Sequence, residues 1–181
     1  NINVTGRDGT GRPSGLHQDL SANAEYRMRF ADRVHRHLFN GGALSPETAG
    51  SLWRARSDLM DEAVVAESAR WGDFRYDTDS GRWQPDDFAR YTPNQHYRQD
   101  QAWILRSYIP QRGAVLLEQL RSRNLYPLTE APRFRQHGGS VAVGQALAIS
   151  NPNPAGVVYY TMDGSDPRDP AAGQNGVSAT A

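Results

Sequence analysis

Residues 23–42 read Asn-Ala-Glu-Tyr-Arg-Met-Arg-Phe-Ala-Asp-Arg-Val-His-Arg-His-Leu-Phe-Asn-Gly-Gly, and this stretch decides the fold. Large apolar residues recur at every fourth position of it, namely Tyr26, Phe30, Val34 and Leu38. That spacing predicts an amphipathic helix that buries one face. Asn23 is a suitable N-cap, and Asn40-Gly41-Gly42 favours a left-handed stop. Both ends and the buried face of the helix are therefore specified locally.

The opposite face of this helix is basic. It carries Arg27, Arg29, Arg33 and Arg36, with His35 and His37 among them. Such a face can bind phosphate. The preferred interpretation is a solvated surface whose basic residues pair with local acids such as Asp32. His35 and His37 are two residues apart and would point about 200° apart on a helix, which does not suit a shared metal ion. No metal site is predicted.

Composition narrows the class of protein. The chain has 181 residues, with 20 basic and 20 acidic side chains and no cysteine. Zero net charge argues against a general nucleic-acid binder, and the lack of cysteine excludes disulfides and thiolate sites. No apolar run approaches the roughly 20 residues that span a bilayer, so no membrane span is expected. Because the chain starts on Asn1 and stops in Ser-Ala-Thr-Ala, we expect it to be a piece of a longer protein.

The first 20 residues are rich in glycine and lack apolar periodicity, which predicts a loop over 1–20. The run Gly-Arg-Asp-Gly-Thr-Gly-Arg at 6–12 looks like a phosphate-binding loop. It lacks the Gly-Lys-Ser/Thr of a Walker loop and the strand that precedes a dinucleotide loop. We therefore predict no phosphate site there.

A second, long helix is predicted from Ser45-Pro46-Glu47 to Gly72. Serine suits the N-cap, proline suits the first helical position, and apolar residues continue at helical spacing for about 26 residues, or roughly 39 Å. A helix of that length must pack against more than one partner. After it, Asp77-Thr78-Asp79-Ser80-Gly81 has the alternating oxygens of a calcium loop, but no glutamate closes it, so a turn is preferred.

Two further helices complete a helical unit over 21–131. Thr92-Pro93-Asn94-Gln95 forms a capping box that starts the third helix, and Pro110 is expected to break or kink it. A fourth, shorter helix is predicted to end near Asn124. Beyond Pro132, short strand-forming runs at 141–143, 146–149 and 157–161, separated by Gly, Asn and Pro, predict a partial β-sandwich over 132–181. The predicted fold is mainly α, a helical bundle-like unit followed by a short, incomplete, immunoglobulin-like β segment.

Two resemblances to known families add to this picture. Val158-Tyr-Tyr-Thr-Met-Asp-Gly-Ser-Asp-Pro167 resembles the motif of the chitobiase/β-hexosaminidase C-terminal type of domain, an immunoglobulin-like module. The helical part is similar to the C-terminal part of bacterial CotH-type, spore-coat-like kinases. That similarity lies in Phe30-Ala-Asp-Arg-Val-His-Arg-His-Leu-Phe-Asn-Gly-Gly42, Val65-Ala-Glu-Ser-Ala-Arg-Trp-Gly-Asp73, Tyr108-Ile-Pro-Gln-Arg112 and Leu125-Tyr-Pro127.

The kinase resemblance implies an atypical protein kinase whose C-lobe scaffold lies here, followed by an accessory β module. That family's phosphate-binding lysine and magnesium-binding aspartates would precede Asn1, so no catalytic residue is assigned and ATP and magnesium would belong to the upstream part. The expected partners are that upstream catalytic part and a protein substrate or glycan, at the extracellular side or cell surface of a bacterium. Three residues are candidates for contacting substrate: Arg7, Arg12 and His17.

The alternative hypothesis is a carbohydrate- or cell-wall-associated binding fragment of a secreted bacterial protein. Trp83, Tyr159 and Tyr160 would offer flat faces to sugar rings. Aromatic residues that alternate in a strand more often divide between core and ordinary surface. Exposed, coplanar rings in a groove would favour sugar binding, and buried rings would count against it.

Overall fold

The computed structural model describes residue 11 and residues 13–74, 90–163 and 165–167. This described part is mainly helical, as predicted, and none of its helices is long and apolar enough to cross a membrane. Its α-helices are α1 (Pro13–Leu20), α2 (Ala24–Leu38), α3 (Pro46–Trp71), α4 (Arg98–Trp103) and α5 (Ile109–Arg121). Two π-helical turns, Pro93–Tyr97 and Ile104–Tyr108, and two short strands, β1 (Arg133–Phe134) and β2 (Ile149–Ser150), complete it.

Helix α1 corrects the prediction that residues 1–20 are a loop, because residues 13–20 are helical. Pro13 occupies the first helical position, where its missing N–H costs nothing. His17 attaches α1 to α2: its Nδ1 lies 2.7 Å from the Tyr26 hydroxyl oxygen and its ring centroid lies 5.0 Å from that of Phe30. The helix is thus stabilised by a contact with α2 that its own sequence does not reveal.

Helix α2 matches the prediction made from residues 23–42. The Asn23 side chain accepts a hydrogen bond from the Tyr26 amide at 3.1 Å, which caps the first turn. The chain leaves the helix through Asn40 and Gly41, whose φ angles are 54° and 75°. Positive φ is the left-handed stop that Asn and Gly favour. Ala31 lies on the buried side of the helix, while Tyr26 and Phe30 are only half-buried.

The chain divides into two compact units. The first unit contains the described residues up to His35 and from Leu117 onward, and the second contains those between Arg36 and Leu116. These bounds differ from the predicted divisions at 1–20, 21–131 and 132–181, which stay a prediction. In the first unit the buried apolar side chains of the described part are Ala31, Leu120, Leu125 and Tyr126.

In the second unit, α3 lies antiparallel to the helical run that begins at Pro93. The hydroxyl of its N-cap, Ser45, accepts from the Thr48 amide at 3.4 Å. Two hydrogen bonds show the direction. Near the start of α3, Trp53 Nε1 donates to Gln101 Oε1, within the run, at 2.6 Å. Near the end of α3, Ser68 Oγ donates to the carbonyl of Tyr91, just before the run, at 2.5 Å. Polar contacts therefore accompany the packing along the whole length of α3.

The helical run does not end at Pro110, where a break or kink was expected. Residues 93–121 remain helical, and a π-helical turn at Ile104–Tyr108 immediately precedes the proline. In that turn the Ile109 amide donates to the Ile104 carbonyl, five residues back. A wider turn relieves the clash that a proline ring makes with the preceding turn of a regular α-helix. It also brings the rings of Trp103 and Tyr108 together, with centroids 5.9 Å apart.

The β segment is smaller than predicted. Antiparallel β1 and β2 pair Arg133 with Ser150 and Phe134 with Ile149. The described residues of the predicted strands at 141–143 and 157–161 are not in strands, and Val143 is fully exposed. A strand with neither a paired neighbour nor a second sheet to cover its apolar face gains too little to form. An immunoglobulin-like sandwich is therefore not observed in the described residues.

Candidate functional site

The predicted substrate-contacting residues are only partly described. Arg7 and Arg12 lie outside the described residues, as do Trp83 and the predicted turn at 77–81. His17 is described, and its imidazole is engaged with Tyr26 and Phe30 in the first unit. The position of its ring gives His17 a structural part in joining α1 to α2. Its role in contacting substrate stays a prediction.

The two adjacent tyrosines proposed for sugar binding are both accessible. Tyr159 is 39% exposed and Tyr160 is 44% exposed, and neither lies in a strand. Alternation along a pleated strand would have turned one ring inward and the other outward. The absence of a strand at this point explains why both rings reach solvent. Sugar binding by this pair keeps its status as the alternative hypothesis.

Sequence reasoning missed a hydrogen bond in the first unit that joins distant parts of the chain. His35 Nδ1 lies 2.9 Å from the hydroxyl oxygen of Tyr126, 91 residues away. Tyr126 is buried, and the Arg121 guanidinium lies 5.7 Å from the centre of its ring. His35 lies in α2, Tyr126 follows the end of α5, and no local signal in either segment marks the contact. The Nδ1 of a neutral His35 can accept a hydrogen bond from the Tyr126 hydroxyl at this distance.

The environment of this pair disfavours charge on both groups. Burial lowers the pKa of His35, the positive charge of nearby His137 lowers it further, and Asp32 acts in the opposite sense. Burial likewise raises the pKa of Tyr126 above its ordinary value, an effect that Arg121 opposes. The pair is therefore held as a neutral imidazole and a neutral phenol near pH 7.

We expect acidification to destabilise the first unit through His35. The pKa of an unfolded histidine is about 6.5 and that of folded His35 is lower, so the unfolded state binds more protons between the two values. The stabilisation is complete above the unfolded pKa and is lost as pH falls through the folded one. The melting temperature, followed by circular dichroism, should therefore drop less between pH 7.5 and pH 5 in His35→Gln than in the natural chain.

The control for this experiment is His37→Gln, since His37 is exposed on the same helix. Glutamine at 35 keeps a neutral acceptor for the Tyr126 hydroxyl, while it removes the titration. An equal pH dependence in the natural chain and His35→Gln would contradict the assignment, as would an equal loss of pH dependence in His37→Gln.

The long helix α3 presents an unusual surface. It has 26 residues, none of them buried. Residues on one side contact the run from Pro93, whereas the opposite side is lined by apolar side chains that reach solvent. We call this side the outer face of α3; it consists of Leu52, Ala55, Leu59, Ala63 and Ala66, all exposed. Leu52 is 56% exposed and Leu59 is 77% exposed.

No group of three His, Asp or Glu side chains that could hold a metal ion occurs in the part of the chain that the structure describes. Among the features described so far are the pair formed by half-buried His35 and buried Tyr126, and the outer face of α3. Comparison with protein-family models, with curated proteins and with solved structures finds no match to this chain.

Proposed function

We propose that this chain is a noncatalytic helical scaffold that packs against a catalytic part lying upstream in the same protein. The resemblance to the C-terminal part of CotH-type kinases implies this arrangement. The observation that supports it is the outer face of α3, a row of apolar side chains along a helix whose other side already contacts the run from Pro93. A helix that packs on one side and carries a row of apolar side chains on the other is typical of a layer packed between two others.

Burial of this surface against another part of the protein would add appreciable stability. Burying a large aliphatic side chain that is otherwise exposed stabilises a fold by about 1.5–3 kcal/mol. Leu52 and Leu59 are one pair of such side chains, two helical turns apart, and the alanines between and beyond them would let another helix approach closely. Charged residues flank this row, among them Arg56 and Glu62, which would form the rim of an interface.

In this proposal the chemistry belongs to the upstream part, which would bind ATP and magnesium, and the scaffold supplies no catalytic residue. The segment 132–181 would be an accessory, immunoglobulin-like β module of which β1 and β2 form a small part. A protein with such a module would act outside the cell or on the surface of a bacterium. The exposed Tyr159 and Tyr160 support glycan binding as the second candidate function.

The test compares one substitution in two chains. Leu59→Asp should change the free energy of unfolding of this 181-residue chain by less than about 0.5 kcal/mol, because the side chain is exposed. In a longer natural chain that extends upstream of Asn1, the same change should cost about 2 kcal/mol or more, because a charge would be buried against the upstream part. Urea denaturation measures both values, and calorimetry with ATP and magnesium shows whether the longer chain binds nucleotide.

The control is Leu128→Asp, at a position that is 83% exposed and outside the helices. It should be nearly neutral in both chains. Equal effects of Leu59→Asp in the two chains would contradict packing of the outer face against an upstream part. Failure of the longer chain to bind ATP would remove the kinase interpretation, and glycan binding would then be the function to measure.

A further inference from the structure

A groove of about 650 Å³ lies between α3 and the helical run from Pro93, entirely within the second unit. It is on the opposite side of α3 from the outer face. Its charged and amide side chains come from both walls: Arg54, Asp58 and Asp61 from α3, and Arg98, Gln101 and Arg106 from the run. Three arginines and two aspartates leave the groove with a net charge of +1.

One end of the groove is closed by an internal ion pair. Arg98 donates from Nε to Asp61 Oδ1 at 3.0 Å and from Nη2 to Asp61 Oδ2 at 2.6 Å. Its remaining nitrogen donates to the Asn94 side chain. The hydrogen bonds lower the pKa of Asp61 and raise that of Arg98, so both stay charged at neutral pH. This two-bond geometry is the favoured one for arginine and carboxylate.

Hydrogen-bond donors lie at the other end of the groove. Neither Arg54 nor Arg106 has an ion-pair partner within the described part of the chain. Gln101 Oε1 accepts from the Trp53 indole N–H at 2.6 Å, which fixes the amide and leaves its NH₂ group as a donor on the groove wall. Two guanidinium groups and an oriented amide NH₂ therefore line one end.

The two arginines are also close along the groove. Leu105, next to Arg106, reaches within 4.0 Å of where a Cβ on Gly50 would lie, so Arg106 is level with Gly50. Arg54 is four residues from Gly50 on the same helix, which is about 6 Å at 1.5 Å per residue. Arginine side chains are long enough to converge on one group across that separation.

The other residues that line the groove indicate which further groups a ligand should carry. Ala102 and Leu105 give the groove an apolar floor. The Asp58 carboxylate has no ion-pair partner among the described residues, and it accepts hydrogen bonds only. A ligand that fits therefore carries an anion at one end, a short apolar stretch, and a hydrogen-bond donor.

We propose that this groove binds a small phosphate monoester that also bears a hydroxyl or ammonium group. Arg54, Arg106 and Gln101 bind the phosphate, and Asp58 accepts from the hydroxyl or ammonium group. Arginine side chains match the geometry of phosphate oxygens and stay charged at any physiological pH. The Asp61–Arg98 pair joins the two walls at the opposite end of the groove. This site does not depend on the scaffold function proposed above, since it lies on the other side of α3.

The experiment is calorimetry of the natural chain with phosphoserine, glucose 6-phosphate and inorganic phosphate, with serine and glucose as phosphate-free controls. The double variant Arg54→Gln/Arg106→Gln should weaken binding of the phosphate probes at least tenfold. The matched control Arg56→Gln removes an exposed arginine of the same helix that does not line the groove, and it should change affinity less than twofold. Comparison of phosphoserine with glucose 6-phosphate distinguishes an ammonium from a hydroxyl as the preferred donor.

A third variant tests the Asp58 contact. Asp58→Asn should weaken the binding of phosphoserine or glucose 6-phosphate and should leave the binding of inorganic phosphate equal or tighter. Only the monoesters carry a hydroxyl or ammonium group, separate from the phosphate, that can reach Asp58. Melting curves establish that the variants fold. The proposal is overturned if the natural chain binds no phosphate probe at millimolar concentration, or if Arg56→Gln weakens binding as much as the double variant does. Binding of serine or glucose as strong as that of their phosphates would overturn it as well.

Discussion

Leu125→Ala is expected to lower the free energy of unfolding of the first unit by about 3 kcal/mol. Leu125 is 3% exposed and Leu120 is 4% exposed, and the Leu125 amide donates to the Leu120 carbonyl at 2.9 Å. The turn after α5 therefore buries both leucines in one small core. Truncation loses the transfer free energy of the removed methyl groups and leaves a cavity. With so few buried side chains in this unit, the loss is a large part of its stability.

The measurement is native-state hydrogen exchange of the amides after residue 117, combined with urea denaturation followed by circular dichroism. All four tryptophans lie between Trp53 and Trp103 in the sequence, so their fluorescence reports on the second unit and serves as an internal reference. The control is Leu128→Ala, since Leu128 is 83% exposed and only three residues away. Similar effects of the two substitutions would contradict the assignment of Leu125 to the core.

Gly72→Ala is expected to destabilise the second unit by about 3 kcal/mol, although the backbone at this position is ordinary. Gly72 follows α3 with φ −63° and ψ −24°, which any residue adopts. A Cβ here would lie 2.5 Å from the Tyr91 carbonyl oxygen and would clash with the Ser68 carbonyl oxygen as well. Both atoms are backbone and cannot rotate away. The Tyr91 amide also donates to the Gly72 carbonyl at 2.8 Å, so a shift would break that bond.

Gly113→Ala is a control for which we expect a stabilising effect instead of a destabilising one. Gly113 lies inside α5, and a Cβ there would meet nothing within 4 Å. Alanine in a helix interior is more stable than glycine by about 0.5–1 kcal/mol. Tryptophan fluorescence in urea should therefore show a lower midpoint for Gly72→Ala and a higher or equal midpoint for Gly113→Ala. Destabilisation by both, or by neither, would contradict this explanation of Gly72.

The elements that sequence predicted well are those whose signals are local. Asn23, Ser45 and Thr92 each cap the helix that was expected to follow, and the 26-residue length of α3 agrees with the predicted span. Apolar spacing and capping act within a few residues, so they can be recognised without knowledge of the tertiary structure. That α3 packs against more than one partner stays a prediction, because its outer face is exposed in the described part of the chain.

The features that sequence did not predict depend on distant residues. Helix α1 is stabilised by Tyr26 and Phe30 of α2, and His35 meets Tyr126 across 91 residues. The groove needs Arg54 and Arg106 to be brought together by antiparallel packing, and no spacing in one segment reveals that. The short β strands were over-predicted for a related reason, since strand propensity counts only where a paired neighbour exists.

The π-helical turn at Ile104–Tyr108 bears on how this segment can change during evolution. Residues five apart point about 140° from one another in an α-helix, yet here Trp103 and Tyr108 have neighbouring rings. A single-residue deletion within the turn would restore regular α-helix and leave the two rings as neighbours, now four residues apart, but it would place Pro110 against an ordinary preceding turn. Substitutions within the turn alter only one side chain at a time. The segment should therefore conserve its length more strictly than its composition among related chains.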